Sequence, residues 1–291
     1  KNHLNRLKNY FASLRTRKTN YQLPLKIMLL GNHASSKSTF LDFFKSNENK
    51  AENKNESTHV LRVVPFELNS NNSAKYKITP KLPDAYFYDF GGQDYYHGLY
   101  KAFYSAKGQS ILFWHQGTNE NKLALDNDKR HNYYYNLEYW LGQHQYFLNK
   151  SMSIPEHFDK SYDFSKVLLV ETRIDEFPKR QFQELGDFNK YIKQRFEISL
   201  KADNHEENNL LTLRYIKDFL HNTIKKREES EKVEAEIVLY KKIYELQASL
   251  KHEETEISTL LEYYDLAKDD NGILKGALSA LNDAGMVLYY D

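Results

Sequence analysis

An apolar run that leads directly into a loop rich in serine and lysine most constrains the fold of this 291-residue chain. The run Leu25–Leu30 predicts a buried strand, and residues 31–39 read Gly-Asn-His-Ala-Ser-Ser-Lys-Ser-Thr. A loop of this kind between a strand and a helix surrounds phosphates with backbone N–H groups at the positive end of the helix. The pattern therefore predicts a phosphate-binding loop.

Two side chains of this loop have specific predicted roles. Lys37 neutralises the β- and γ-phosphates, and the Ser38 hydroxyl ligates Mg²⁺. Ser36 stands where this motif normally has glycine, so a Cβ and a hydroxyl lie where the backbone approaches the phosphates most closely. His33 could reach the γ-phosphate or point to solvent, and we expect solvent. The predicted nucleotide contacts in the loop are Gly31, Asn32, His33, Ala34, Ser35, Ser36, Lys37, Ser38 and Thr39.

A second strand, within residues 86–93, ends in Asp-x-x-Gly-Gln. Asp89 is placed to hold a magnesium-bound water, and the Gly92 N–H to meet the γ-phosphate. Gln93 either orients the attacking water as a catalytic residue or is simply an exposed switch residue. Asp89 and the hydroxyl of Ser38 are therefore predicted to belong to one Mg²⁺ site.

Two later segments predict recognition of a guanine base. The apolar strand 167–171 is followed by Thr172, Arg173, Ile174 and Asp175, a variant of the Asn-Lys-x-Asp motif. Asp175 would accept from the guanine N1–H and 2-amino groups, which adenine lacks. The Arg173 stem can lie along the base, whereas Thr172 loses an amide that ties loops together. The segment Ser199, Leu200 and Lys201 is similar to a Ser-Ala-Lys loop whose backbone amide meets guanine O6.

These motifs follow the order of a small GTPase, and over residues 21–227 the chain resembles the Roc (Ras-of-complex) GTPase domain of bacterial Roco proteins. The stretches that carry the resemblance are residues 89–93, 111–114 and 139–141. It implies a switch threonine at Thr58 that contacts Mg²⁺ and the γ-phosphate, with Ser57 as a near-equal candidate. It also implies an upstream leucine-rich-repeat region and a homodimer formed through the COR (C-terminal of Roc) domain, which follows the Roc domain in this family.

Composition supports a globular protein without strong global electrostatics. The chain is 40% hydrophobic and 28% charged, has net charge +1, and contains no cysteine. We therefore expect no disulfide, no thiolate metal site, and no nucleic-acid or membrane partner, and we expect a cytoplasmic location.

The order of the segments predicts an α/β fold with a doubly wound, mostly parallel sheet. Residues 59–66 and 85–88 predict a hairpin, and further strands are expected near 109–115, 166–172 and 195–199. Residues 1–20 predict an amphipathic linker helix, and residues 228–252 a helix that begins a truncated COR domain over 228–291. Near its end, residues 277–290 are similar to a COR helix that stops at a glycine and becomes a strand.

Three functions remain open from the sequence. The main prediction is a GTPase that binds GTP and GDP with Mg²⁺ and hydrolyses GTP slowly, acting as a conformational and dimerisation switch. The first alternative is a nucleotide-free or weakly binding interaction scaffold, because Ser36 replaces the loop glycine. The second is an ATPase, which Asp175 and residues 199–201 argue against.

Overall fold

The structure is a computed structural model that describes most of the first 230 residues and a few positions beyond them. The described residues are 20–21, 24–45, 61–67, 83–93, 97–104, 108–118, 122–125, 129–151, 166–177, 185–200, 207–230, 233–234, 278–279, 281–282, 285, 287 and 289. The predicted linker helix, apart from Asn20, and the predicted switch residues Ser57 and Thr58 lie outside these ranges.

The described strands are β1 Asn20–Tyr21, β2 Leu25–Leu30, β3 Leu61–Phe66, β4 Ala85–Phe90, β5 Gln109–Trp114, β6 Lys122–Leu125, β7 His131–Tyr134, β8 Val167–Glu171, β9 Ile192–Glu197 and β10 Val233–Glu234. Six of them form one sheet in the order β3-β4-β2-β5-β8-β9. β3 and β4 pair antiparallel, as the predicted hairpin requires, and the remaining pairs are parallel.

Helices cover both faces of this sheet. They are α1 Lys37–Lys45, α2 His97–Phe103, α3 Leu137–Ser151 and α4 Glu207–Ser230. Phe40 of α1 and Ile216 of α4 are buried in one core, whereas Trp140 of α3 is buried in the core on the other face. β2 lies between these two cores, and all six of its residues are buried. The predicted doubly wound, mostly parallel sheet is confirmed.

Two local predictions differ from the structure. Val233, expected in a helix, lies in β10, which pairs antiparallel with β1 and so satisfies backbone groups of both short strands. A separate helix was expected to begin at Glu228, but α4 continues through that residue and ends at Ser230. The structure also contains the antiparallel β6–β7 hairpin, which the sequence analysis did not predict.

Part of the C-terminal region packs on the sheet. Leu278 and Leu281 are helical and buried, and Gly285 follows in a turn with φ +76°. The Tyr88 hydroxyl donates to the Gly285 carbonyl oxygen at 2.5 Å, and Lys26 Nζ donates to the Asn282 oxygen at 3.4 Å. The predicted glycine stop is therefore present, whereas Val287 and Tyr289 are not in a strand.

Within the described part of the chain, no helix combines the length and apolar character needed to cross a membrane.

Candidate nucleotide-binding site

The phosphate-binding loop connects the carboxyl end of β2 to the first turn of α1. Ser36 accepts the first helical hydrogen bond, from Phe40 N at 2.9 Å, while its own φ is +67°. Only glycine adopts such a left-handed conformation without steric cost, since the Cβ of other residues crowds the backbone. The serine at this position is therefore held in a strained backbone conformation.

Lys37 is buried over its own loop. Its Nζ donates to the carbonyl oxygens of Gly31 and Asn32, both at 2.8 Å, and lies 3.4 Å from Ser35 Oγ. Burial lowers the pKa of the ammonium to about 8, and the negative charge of Asp89 partly opposes this shift. The loop thus surrounds a cation that is screened from solvent.

Ser38 and Asp89 meet between α1 and β4. Ser38 Oγ donates to Asp89 Oδ2 at 2.7 Å, and Asp89 is fully buried. A hydroxyl and a carboxylate are the hard oxygen donors that Mg²⁺ prefers, and Mg²⁺ usually retains several waters. This pair fits the predicted metal site, and among the described residues no group of three His, Cys, Asp or Glu side chains offers another.

The loop after β4 packs directly on the phosphate-binding loop. A Cβ on Gly92 would lie 2.4 Å from Asn32 C and from His33 N, so only glycine fits there. His33 is 6% exposed and Gln93 1% exposed. The expectation that His33 points to solvent is wrong, because its side chain is buried and its backbone N lies against Gly92. The alternative of an exposed Gln93 is likewise wrong.

The two predicted base-recognition segments are joined to each other and to the phosphate-binding loop. Ser199 Oγ donates to Asp175 Oδ1 at 2.7 Å. Thr172 Oγ1 lies 3.3 Å from the Ser35 oxygen and 3.4 Å from the Trp114 oxygen, so its one hydrogen is shared between two acceptors. Thr172 lacks the amide of the usual asparagine, yet its hydroxyl still links this loop to the phosphate-binding loop. Its backbone N–H is fixed on Trp114 O at 2.8 Å, which brings the short hydroxyl within reach of Ser35.

Of the other three residues predicted near the base, the structure describes Arg173 and Leu200. Arg173, at φ +56°, forms a partly exposed ion pair with Glu176, with 2.5 Å between Nη2 and Oε2. Leu200 packs against the hydrophobic core, and Lys201 lies outside the described residues. Exposed ion pairs hold a side chain weakly, so this one leaves Arg173 free to rearrange over a base.

The sequence did not predict the side-chain contacts of Asn32 or a place for His97 near this site. The amide of Asn32 bonds to Tyr135 and Trp140, more than one hundred positions away. His97 lies close enough to Lys37 for its pKa to be affected: burial and repulsion from Lys37 lower the pKa of His97 to about 4, while a hydrogen bond with the Gly92 backbone opposes the shift. An asparagine inside a phosphate-binding loop was the available signal, but the sequence contains no indication of its partner.

The fold is that of a Ras-like P-loop GTPase. Residues 26–154 match the family model described as Ras of Complex, Roc, domain of DAPkinase, so this part of the chain is a Roc domain. No curated protein sequence matched the chain.

Solved structures agree on the fold. Among them, Methanosarcina barkeri Roco2 RocCORdC bound to GDP superposes with a TM-score of 0.59 and 20% sequence identity. The match covers 94% of this chain and 72% of that one. At this identity the similarity establishes the fold.

Proposed function

We propose that this chain binds GDP and GTP with Mg²⁺ at residues 31–39 and slowly hydrolyses GTP. The observation that carries the proposal is the convergence of the predicted motifs. Ser38 contacts Asp89 on the phosphate side, while Thr172 contacts Ser35 on the base side. The Methanosarcina protein, which shares the fold, was solved with GDP, and this supports the choice of a guanine nucleotide.

The reaction is the in-line attack of water on the γ-phosphoryl group. Lys37 and the N–H groups of the loop stabilise negative charge on the phosphate oxygens, and Gln93 orients the water. Ser38 and Asp89 would hold Mg²⁺, with Thr58 as a further proposed ligand. When bound, Mg²⁺ neutralises charge that develops between the phosphates. No residue assigned to the phosphate site is an arginine, which would stabilise the negative charge of the transition state. Hydrolysis is therefore slow.

The nucleotide acts as a switch in this proposal. The loop that contains Gly92 and Gln93 packs on the phosphate-binding loop, and a γ-phosphate requires that contact to change. β4 carries both Asp89 and Tyr88, and Tyr88 bonds to Gly285 in the C-terminal region. This continuity supports a role for the C-terminal region in reading the nucleotide state, with dimer formation through a complete COR domain.

Titration calorimetry with GDP, GTP and ATP, with and without Mg²⁺, tests the proposal. We expect Mg²⁺-dependent binding of both guanine nucleotides and weak binding of ATP. Lys37→Ala removes charge-assisted contacts worth about 1.5–3 kcal/mol, so affinity falls at least tenfold. Lys190→Ala, at an exposed lysine, is the control and leaves affinity unchanged. Equal binding of ATP and GTP would contradict the base assignment.

The second candidate function is an interaction scaffold that binds nucleotide weakly or not at all. The strained φ of +67° at Ser36 favours this alternative. The same titration separates the two, because a scaffold of this kind binds GDP and GTP weakly or not at all. Single-turnover measurement of phosphate release then distinguishes a slow enzyme from a protein that only binds nucleotide.

A further inference from the structure

The side chain of Asn32 makes three hydrogen bonds outside the phosphate-binding loop. Its Nδ2 donates to Tyr135 O at 2.7 Å, and its Oδ1 accepts from Tyr135 N at 3.0 Å and from Trp140 Nε1 at 3.2 Å. Asn32 is 2% exposed, and its bond to Trp140 is buried while the two bonds to Tyr135 are partly buried. The amide therefore contacts α3 and the residue that lies two positions before it.

Only a carboxamide satisfies this arrangement. The two bonds to the Tyr135 backbone need a donor and an acceptor on one planar group, and Trp140 needs a second lone pair on the same oxygen. The identity of the partners also fixes the orientation of the amide, because a carbonyl cannot donate and an indole N–H cannot accept. Aspartate lacks the donor, and alanine lacks both functions.

The backbone of Asn32 belongs to the phosphate site. Its carbonyl oxygen accepts from Lys37 Nζ at 2.8 Å. One residue therefore holds the loop lysine through its main chain and α3 through its side chain. The near end of α3 is itself fixed, since Asn136 Oδ1 accepts from Tyr139 N at 3.0 Å, as an N-cap does.

The same contact extends to α2. The Trp140 ring lies edge-on to His97, with centroids 4.7 Å apart, and 5.6 Å from the ring of Tyr100. The Tyr135 ring stacks on Tyr139 at 3.9 Å. His97 is the first residue of α2, four positions after Gln93. The aromatic cluster thus joins the phosphate-binding loop, α3 and the helix that follows the predicted catalytic segment.

We propose that Asn32 is a positioning residue that couples nucleotide binding in the phosphate loop to helix α3 through Tyr135 and Trp140. This inference rests on the proposed function. A nucleotide that fixes the loop also fixes the Asn32 amide and, through it, the start of α3. Coupling between two sites is reciprocal. If a bound nucleotide favours one arrangement of α3 by some factor, then fixing α3 in that arrangement raises nucleotide affinity by the same factor.

Affinity measurements on three variants test the coupling. Asn32→Ala removes all three bonds, and we expect GDP binding to weaken about tenfold. Trp140→Phe removes only the indole donor, with an expected loss of about threefold, and adds little in the double variant because the two residues share one interaction. Thr223→Ala is the control: it removes the hydrogen bond from Thr223 Oγ1 to Phe219 O within α4 and lowers the melting temperature but leaves the affinity for GDP unchanged.

Tryptophan fluorescence supplies a readout that simple loss of stability would not move. The sequence has two tryptophans, so Trp114→Phe leaves Trp140 as the only one. Trp114 Nε1 has no hydrogen-bond partner among the described residues, so this replacement breaks no bond there. We expect GDP to change the Trp140 emission in Trp114→Phe, and to change it little when Asn32→Ala is added at saturating GDP.

The possible outcomes are distinct. If Asn32→Ala binds GDP as tightly as the wild type, or keeps the full Trp140 response, the inference is overturned even though the proposed function stands. If Asn32→Ala does not fold, Trp140→Phe decides, and unchanged affinity in that variant also overturns the inference. A wild type that binds no guanine nucleotide overturns the proposed function and this inference with it.

Discussion

Ser199 Oγ and Asp175 Oδ1 lie 2.7 Å apart, which joins two loops whose residues are 24 positions apart in the chain. Ser199 is 4% exposed and Asp175 is partly exposed, so the bond is partly buried. The serine donates its only hydrogen, and the carboxylate accepts it. The contact fixes the orientation of the side chain that we assign to the guanine edge.

Asp175→Asn is expected to shift base selection from guanine toward xanthine nucleotides. The amide can donate a hydrogen bond where the carboxylate only accepts, so it complements the carbonyl that xanthine carries in place of the 2-amino group. Competition binding with GTP, XTP and ATP measures the change. Ser199→Ala is the control: it loses the bond to Asp175 and weakens binding but keeps the preference for guanine. A variant that still prefers GTP would contradict the role of Asp175.

Thr172→Val is expected to weaken guanine-nucleotide binding about fivefold, since one buried hydrogen bond is worth roughly 1 kcal/mol. Valine has the shape of threonine but leaves the Ser35 oxygen without the hydroxyl, which loosens the tie between the base side and the phosphate loop. Thr172→Ser keeps the hydroxyl and should stay near wild-type affinity. Calorimetry on the wild type and the two variants measures the affinities. Equal nucleotide affinities of Thr172→Val and Thr172→Ser would show that the tie has no effect on binding.

Ser36→Gly is expected to raise both affinity and stability. The left-handed φ of +67° costs a non-glycine residue on the order of 1–3 kcal/mol, and the serine Cβ lies where phosphates approach most closely. We expect GDP to bind about tenfold more tightly. Ala34→Gly is the matched control, because Ala34 is also left-handed, at φ +55°, yet exposed. The control should gain stability with little gain in affinity, and equal affinity of Ser36→Gly and wild type would remove the support for the scaffold alternative.

Acid should destabilise the domain through His115. Burial, together with the positive charges of Arg173 and Lys122 and against the opposing charge of Glu176, lowers its pKa to about 4. Because the unfolded chain binds a proton near pH 6.5 and the folded one only near pH 4, the stability contributed by neutral His115 is lost as pH falls through this window. The loss is at most about 3 kcal/mol at 1.36 kcal/mol per pKa unit.

Denaturant unfolding from pH 7 to pH 4 measures this effect. His115→Phe keeps an aromatic ring beside Phe177 but does not titrate, so its stability should fall less steeply with acid. The pH dependence of stability that remains in His115→Phe is due in part to His97, whose pKa is also lowered to about 4, mainly by burial. His131→Phe, at an exposed histidine, should behave as wild type. Parallel acid curves for His115→Phe and wild type would contradict the assignment.

Gly285→Ala should loosen the C-terminal region from the sheet. The new Cβ would lie 2.8 Å from Tyr88 Cε2, and the backbone has φ +76°, so the change combines a clash with left-handed strain of about 1 kcal/mol or more. Gly98→Ala in α2 has no atom within 4 Å of its Cβ and should be neutral or stabilising. Limited proteolysis reports release of the region, and equal cleavage rates for the two variants would count against the Tyr88 contact.

The sequence by itself determined the sheet and the positions of the motifs. β2 is recognisable because six consecutive buried residues need an apolar run, and the loop after it needs glycine, lysine and serine in a fixed order. The motifs for Asp89 and Asp175 follow strands of a parallel sheet, whose carboxyl ends share one edge. Their convergence on the phosphate-binding loop could therefore be expected from order alone.

Tertiary structure alone decided which side chains close the site. Hydrogen bonds between Asn32 and Trp140, or between Thr172 and Ser35, depend on distances that packing sets, and no local pattern encodes a partner more than one hundred positions away. Burial of His33 depends likewise on where the Gly92 loop lies. Local sequence encodes the periodicity and special backbone positions of each segment, whereas the pairing of polar groups across segments is determined only when the core brings their backbones together.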